Sequence, residues 1–348
     1  MWFKGLAITG LAITGLLSGL VPGPAKAELV QVPRIDNGVA TLRVVHAVNG
    51  RLPRLDDQEL QTLLTVMQKT AAKHFGVTVK LEGPSEVDVH DLLASIPAHA
   101  LKGRQDVIYD FRTGGGDRSR LIAGYEKTLR EWKTPLDDLI AYARPYLSQP
   151  VSPRSYRGLA EALVATHLTR LEDWRKQKSA DGKPMLDQTN VNEWVVWDLL
   201  GYGNMPYDLV VTNQPIISAE YEDVALNAPL RGGVSAGSTG YAKSGRYGTY
   251  SVISTFPFSE YDKLPKGTSD ISSRPQAVDL AGKYTAHEIG HMLFLLAHPF
   301  GNPACVMRPE PLFHFADWAR NLDADKCRIS SSPAMTPGAA KIQYRPDW

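Results

Sequence analysis

The chain has 348 residues, 43% hydrophobic and 22% charged, with a formal net charge of +1. That mixture is ordinary for a globular protein and suffices for one large domain or two modest ones. With charges nearly balanced and no basic run, nucleic acid and anionic membrane surfaces are poor candidates for partners.

Residues 1–27 read as a signal peptide. Met1-Trp2-Phe3-Lys4 supplies one positive charge, and Gly5 to Val21 is an apolar run containing a repeated Gly-Leu-Ala-Ile-Thr. Ala25 and Ala27 then offer small residues at the two positions a signal peptidase reads. The run is short for a membrane span and rich in glycine, so cleavage after Ala27 is favoured over an uncleaved anchor. The mature chain, 28–348, is expected to be exported, periplasmic or secreted, with no stable membrane insertion.

Residues 28–40 are punctuated by proline and glycine and are expected to be irregular. Thr41 to Val48 reads as a strand followed by a turn at Asn49-Gly50. Asp56 and Glu59 make a capping box, and Leu60, Leu63, Leu64, Met67, Ala71 and Phe75 form a helical stripe ending at Gly76. Val77 to Leu81 is a second strand, which makes a right-handed crossover if the two strands are parallel.

Residues 113–203 depart from that plan and read as a helical insertion. One helical face carries Leu121, Ile122, Tyr125, Leu129 and Trp132, and Pro135 restarts the helix. A second carries Leu159, Leu163, His167, Leu171 and Trp174, and Asn192 to Leu200 adds a short aromatic-rich helix. His167, like His46 and His74, reads as a core histidine with a local partner rather than a ligand. Strands resume at Tyr207 to Thr212, at the glycine-rich Gly232 to Gly237, and at Tyr250 to Thr255.

The chemistry concentrates in Thr285-Ala286-His287-Glu288-Ile289-Gly290-His291, with His298 and Cys305-Val306-Met307 downstream. Residues four apart on a helix share a face, so His287 and His291 can present two imidazoles to one metal. Glu288 sits beside that metal, where it can take a proton from bound water; this is the physical content of H-E-x-x-H. Leu280, Tyr284, His287 and His291 lie on one stripe, with Asp279 as a possible N-cap. Gly282 is the weak position early in the helix, and Gly290 leaves room for another backbone to approach. Pro299, Gly301 and Pro303 make the next stretch a loop.

These residues resemble the metzincin clan of zinc peptidases, with the archaemetzincin type nearest. The resemblance implies a mixed twisted α/β sheet, a zinc-binding helix packed on it, and a C-terminal subdomain over 299–348 with Met307 in a tight turn beneath the metal. It also implies that the strand–helix–strand unit opens the upper subdomain and that the Gly232 to Gly237 strand borders the cleft, where substrate main chain adds as a strand. An ordinary glycine-rich hairpin is the alternative there. Two features depart from the family: Phe294 stands where glycine ends the zinc helix, and His298 follows His291 by seven residues instead of six. Archaemetzincins carry four cysteines for a second zinc and this chain has two, so one Zn2+ per chain is expected.

On an unbroken helix His298 would lie about 10 Å beyond His291 along the axis, too far for three imidazoles to meet at one metal. The helix must therefore end between Leu293 and Ala297 and fold His298 back, with the extra residue giving room for a different turn. Glu310 and His314 are the rival third ligands. Cys305 and Cys327, in an exported chain, suggest one disulfide worth about 3 kcal/mol, against two free buried thiols. Beyond Met307, Leu312, Phe315, Trp318 and Leu322 suggest a last amphipathic helix.

The function expected is that of an exported zinc metalloendopeptidase acting on peptide or protein substrates, with Glu288 as general base. A zinc-stabilised binding or assembly protein and a cell-wall peptide amidase are the alternatives. Glu288 speaks against the first, since a structural site needs ligands but no base.

Overall fold

A computed structural model of the chain describes residues 35–102, 109–110, 114–131, 134–179, 181–186, 191–203, 206–218, 226–242, 247–296, 298–330 and 343–344. The signal peptide over 1–27 and Trp132 lie outside the described residues. Among those residues, no helix is long and apolar enough to cross a membrane.

The chain builds a mixed α/β fold around a five-stranded sheet. Its strands are β1 (Val39–Val48), β2 (Thr78–Asp88), β3 (Leu209–Thr212), β4 (Gly237–Tyr241) and β5 (Thr249–Ser254), in the order β2-β1-β3-β5-β4. All neighbours pair in parallel except β4, which runs antiparallel to β5 at the edge. Side chains of a strand alternate between faces, and both faces are covered here. Ala40, Leu42, Val44, Leu209, Val211 and Ile253 enter the main core, whereas Val45, Ala47, Val210 and Val252 pack on the other side against Val89, Trp197 and Leu200.

The main core lies under helix α1 (Asp57–Phe75), which begins with the expected capping box of Asp56 and Glu59 and ends at Gly76 in the left-handed region. Helices α2 (Arg118–Glu131), α3 (Leu136–Ala143) and α4 (Tyr156–Arg175) follow β2 and share a separate apolar cluster built on Leu121, Tyr125, Leu139, Leu159 and Leu163. His167 is buried there with its Nδ1 2.7 Å from the Tyr125 hydroxyl, a local partner as expected of a core histidine, while its Nε2 has no partner among the described residues. The short helix α5 (Trp194–Leu199) returns the chain to the sheet.

Helix α6 (Arg274–Phe294) carries the H-E-x-x-H motif. It starts earlier than the stripe suggested, because Ser273 rather than Asp279 is its N-cap; Asp279 instead pairs with Lys283 one turn on at 2.8 Å. Arg274 grips Glu59 with two bonds of 2.6 and 2.7 Å, which ties the starts of α1 and α6 together. The two helices cross at Gly282, where a Cβ would fall 2.6 Å from the Leu63 carbonyl oxygen and 2.7 Å from Val66 Cβ. The residue that looked weak for a helix is thus the one that lets α1 approach. The last helix, α7 (Phe315–Asn321), is shorter than the apolar pattern implied and excludes Leu312 and Leu322.

Alanine at Gly282 sets helix propensity against packing. An exposed helical Gly→Ala gains about 1 kcal/mol. Here overpacking dominates, and Gly282→Ala is expected to destabilise by about 1–3 kcal/mol in urea unfolding. A stabilised variant would contradict the close crossing.

Candidate metal centre and cleft

The last turns of α6 set His287 and His291 on one face, and the end of the helix decides where His298 goes. Phe294 remains the final helical residue. Leu295 then takes the left-handed conformation, φ 53° and ψ 38°, and its N–H caps the helix on the carbonyls of Gly290 and His291. The reversal falls within the interval required for His298 to fold back. The left-handed residue comes four positions after His291, and His298 follows it by three. Phe294 keeps helical geometry and stays buried, while Leu295 is 60% exposed, so the strained residue is the one with little to bury.

The three Nε2 atoms form a triangle: His287 to His291 3.1 Å, His291 to His298 3.0 Å, His298 to His287 3.3 Å. Tetrahedral zinc with Zn–N of about 2.0–2.1 Å needs a ligand edge of about 3.3 Å, so the triangle fits such an ion closely. The tautomers fit as well. His287 Nδ1 faces the Val306 carbonyl oxygen at 2.8 Å, and His291 Nδ1 faces that of Leu296. With the proton donated at Nδ1, a neutral imidazole presents a bare lone pair at Nε2. Burial holds all three imidazoles neutral: His291 is pushed down to about 4, and His287 and His298 lie well below the usual value. Three lone pairs about 3 Å apart repel unless a cation lies among them. Among the described residues these three histidines form the group able to hold a metal.

The rivals for third ligand stand elsewhere. Glu310 is buried with its carboxylate 3.6 Å from Arg308, and His314 turns its Nε2 toward the Gly267 carbonyl. His46 and His74 are buried away from the cluster.

Beneath α6 runs Cys305-Val306-Met307. Cys305 is disulfide-bonded to Cys327, 22 residues on, so the pairing expected from the cysteine count is present. Val306 supplies the carbonyl that orients His287. Met307 is fully buried with its sulfur against Gly290, so close that any Cβ there would collide with it; Phe75 closes the same space. Gly290 thus makes room for a methionine side chain, not for a backbone as first expected.

Glu288 points the other way, toward the sheet. Its Oε2 accepts a 2.9 Å hydrogen bond from Thr239 Oγ1, and its backbone carbonyl accepts from Ser251 Oγ at 3.1 Å. Burial pushes the carboxyl up to about 7, opposed by the Thr239 and Tyr284 hydroxyls and by the charge of Arg231. A dication at the histidine triangle would oppose the burial effect further.

Glycine 237 explains how the sheet edge comes so near: a Cβ on it would lie 2.7 Å from Glu288 Oε1. The glycine-rich segment is not one strand over Gly232 to Gly237, however. Val234–Ser235 pairs with Ile216–Ile217 in a separate two-stranded ribbon, and the edge strand β4 begins at Gly237. Gly232 and Gly233 both have positive φ, which turns the chain before either pairing begins.

Histidines 291 and 298, with Glu288, line a cleft of about 410 Å³ together with β4, Trp194, Asn227, Tyr284 and Leu295. Thr239, Tyr284, Asn227 and Arg231 carry no motif. Tyr284 alone had a signal, its place on the ligand stripe one turn before His287. No known protein family, curated protein or solved structure matches the chain.

Two outcomes test this geometry. His298→Ala should lower zinc affinity at least 100-fold in a competition titration, with the Glu310→Ala protein binding as the parent does. Leu295→Gly removes a left-handed leucine that buries little, so it should raise stability by about 0.5–1 kcal/mol in urea unfolding, whereas β-branched valine there should lower it.

Proposed function

We propose that this chain is an exported zinc-dependent peptidase of the metzincin kind, hydrolysing peptide bonds with Glu288 as general base. The observation that carries the reading is the placement of Glu288, next to a three-histidine triangle of zinc dimensions and inside a cleft. Such a division between ligands and an adjacent carboxylate suits hydrolysis, whereas a purely structural site needs four protein ligands and no base. The disulfide agrees with an oxidising compartment.

His287, His291 and His298 are the residues that would hold the metal, which when bound supplies a Lewis acid and a water of lowered pKa. Glu288 accepts a proton on Oε1, the oxygen that Thr239 does not hold, and returns it to the leaving amine. Thr239 and Tyr284 keep the carboxylate from rotating away. The β4 edge offers main-chain groups to an extended peptide, which supports a polypeptide substrate bound as an added strand.

Glu288→Ala protein should retain one zinc per chain by elemental analysis and lose at least 100-fold in cleavage of denatured protein substrates. The parent should lose the same activity in a chelator and regain it on adding zinc. Full turnover by the variant would remove Glu288 as the base.

A further inference from the structure

Beside the cleft lies a buried cation, Arg231, whose guanidinium is only partly bonded. Arg231 is 1% exposed, yet its Nε and Nη1 have no hydrogen-bond partner among the described residues. Its Nη2 donates to the backbone oxygen of Glu310, while the Glu310 carboxylate lies by Arg308. The guanidinium is flanked by the rings of Phe313 and Phe315, 5.1 and 5.6 Å from their centres. Among the described residues no carboxylate pairs with this cation, which makes its burial costly, and orphan buried donors call for a missing partner.

A second orphan stands on the same turn. Asn227–Leu230 is one turn of helix capped at Arg231, so Asn227 and Arg231 are four apart and share a face. Asn227 lines the cleft with Tyr284, Glu288 and His298, is 8% exposed, and has no partner for its Oδ1 among the described residues. Tyr284 links the two regions, since its hydroxyl interacts with both Glu288 and Arg231. With a dication among the imidazoles, the charges at this corner among the described residues are that ion, Arg231 and Arg308 against the carboxylates of Glu288 and Glu310. The balance is positive, and an anion is what it lacks.

We propose that Asn227 and Arg231 form a subsite for a carboxylate-bearing residue of the substrate. The guanidinium takes the carboxylate in its planar fork, and the Asn227 amide takes that residue's main-chain amide. The Tyr284 hydroxyl, which reaches the guanidinium from the wall of the cleft, yields that contact to the entering carboxylate. The carboxylate belongs either to an acidic side chain or to the end of a peptide chain. Both present the same charge with a main-chain amide close by.

The inference rests on the metallopeptidase reading, so binding and turnover are measured separately. Zinc-loaded Glu288→Ala protein is titrated by fluorescence polarisation with four labelled heptapeptide pools. The pools carry Glu or Gln at the central position and end in a free acid or an amide. At least tenfold tighter binding of Glu over Gln assigns the side chain, and the same ratio for acid over amide assigns the chain end. The preference should fall within twofold of unity in Arg231→Met and in Asn227→Asp, which sets a like charge against the ligand, and should survive in part in Arg231→Lys. Zinc content checks that each variant is folded; if Arg231→Met is not, Asn227→Asp and Arg231→Lys decide. Equal binding of all pools, no saturable binding, or a preference indifferent to these substitutions overturns the subsite. If the preference holds but the parent cleaves none of the pools, the peptidase reading fails and the carboxylate site stands.

Discussion

Three neutral imidazoles held with their lone pairs about 3 Å apart are the constraint around which the rest of this site is arranged. Such a cluster is repulsive on its own, so each ring has to be held from behind. The carbonyl of Val306 does this for His287 and that of Leu296 for His291. These carbonyls come from different places: one from the turn after the helix, the other from a segment cross-linked by the Cys305–Cys327 disulfide. Met307, wedged against Gly290, fixes the distance between that segment and the helix. The three-histidine cluster is therefore anchored through side-chain packing and main-chain acceptors together, and neither alone would set the ring orientations.

The sheet contributes the other half of the cleft. Every strand but β4 is parallel, and β4 turns antiparallel at the edge directly over α6. A glycine at its start brings backbone to the side of Glu288, and a threonine two residues later holds the carboxylate. The alternation of side chains along a strand puts Gly237 and Thr239 on the same face, so one short segment supplies both the close approach and the hydrogen bond. Burial alone would keep Glu288 protonated near neutral pH; the hydroxyls of Thr239 and Tyr284 and the charge of Arg231 work against that.

Much of the architecture was legible from local patterns. The capping box at Asp56 and Glu59, the apolar stripe to Phe75 and the stop at Gly76 depend on contacts within one helix, and α1 follows them closely. Where packing between distant segments decides, local patterns fell short. Gly282 counts as a defect in an isolated helix and becomes the crossing point of two helices once α1 lies against it. Asp279 reads as a cap because it directly precedes the apolar stripe that starts at Leu280, whereas Ser273 caps and Arg274 is drawn in by Glu59, 215 residues away.

By itself the sequence determined that His287, Glu288 and His291 share one helix, because four-residue spacing is a property of helical geometry that needs no tertiary partner. It also determined that the helix had to break before His298, since 10 Å of axial rise, about one rise of 1.5 Å per residue over seven residues, cannot be reconciled with one ion. Which residue would turn left-handed, and that Leu295 rather than Phe294 would do so, depended on the pocket into which Phe294 packs against Phe75. Asn227, Arg231 and Thr239 lie in one stretch of chain well before the motif, with Thr239 49 residues from Glu288, and only the closing of the sheet and the helical region around α6 brought them there. Spacing encodes what one element can do alone; the choice among its neighbours is made by long-range packing, which no local pattern carries.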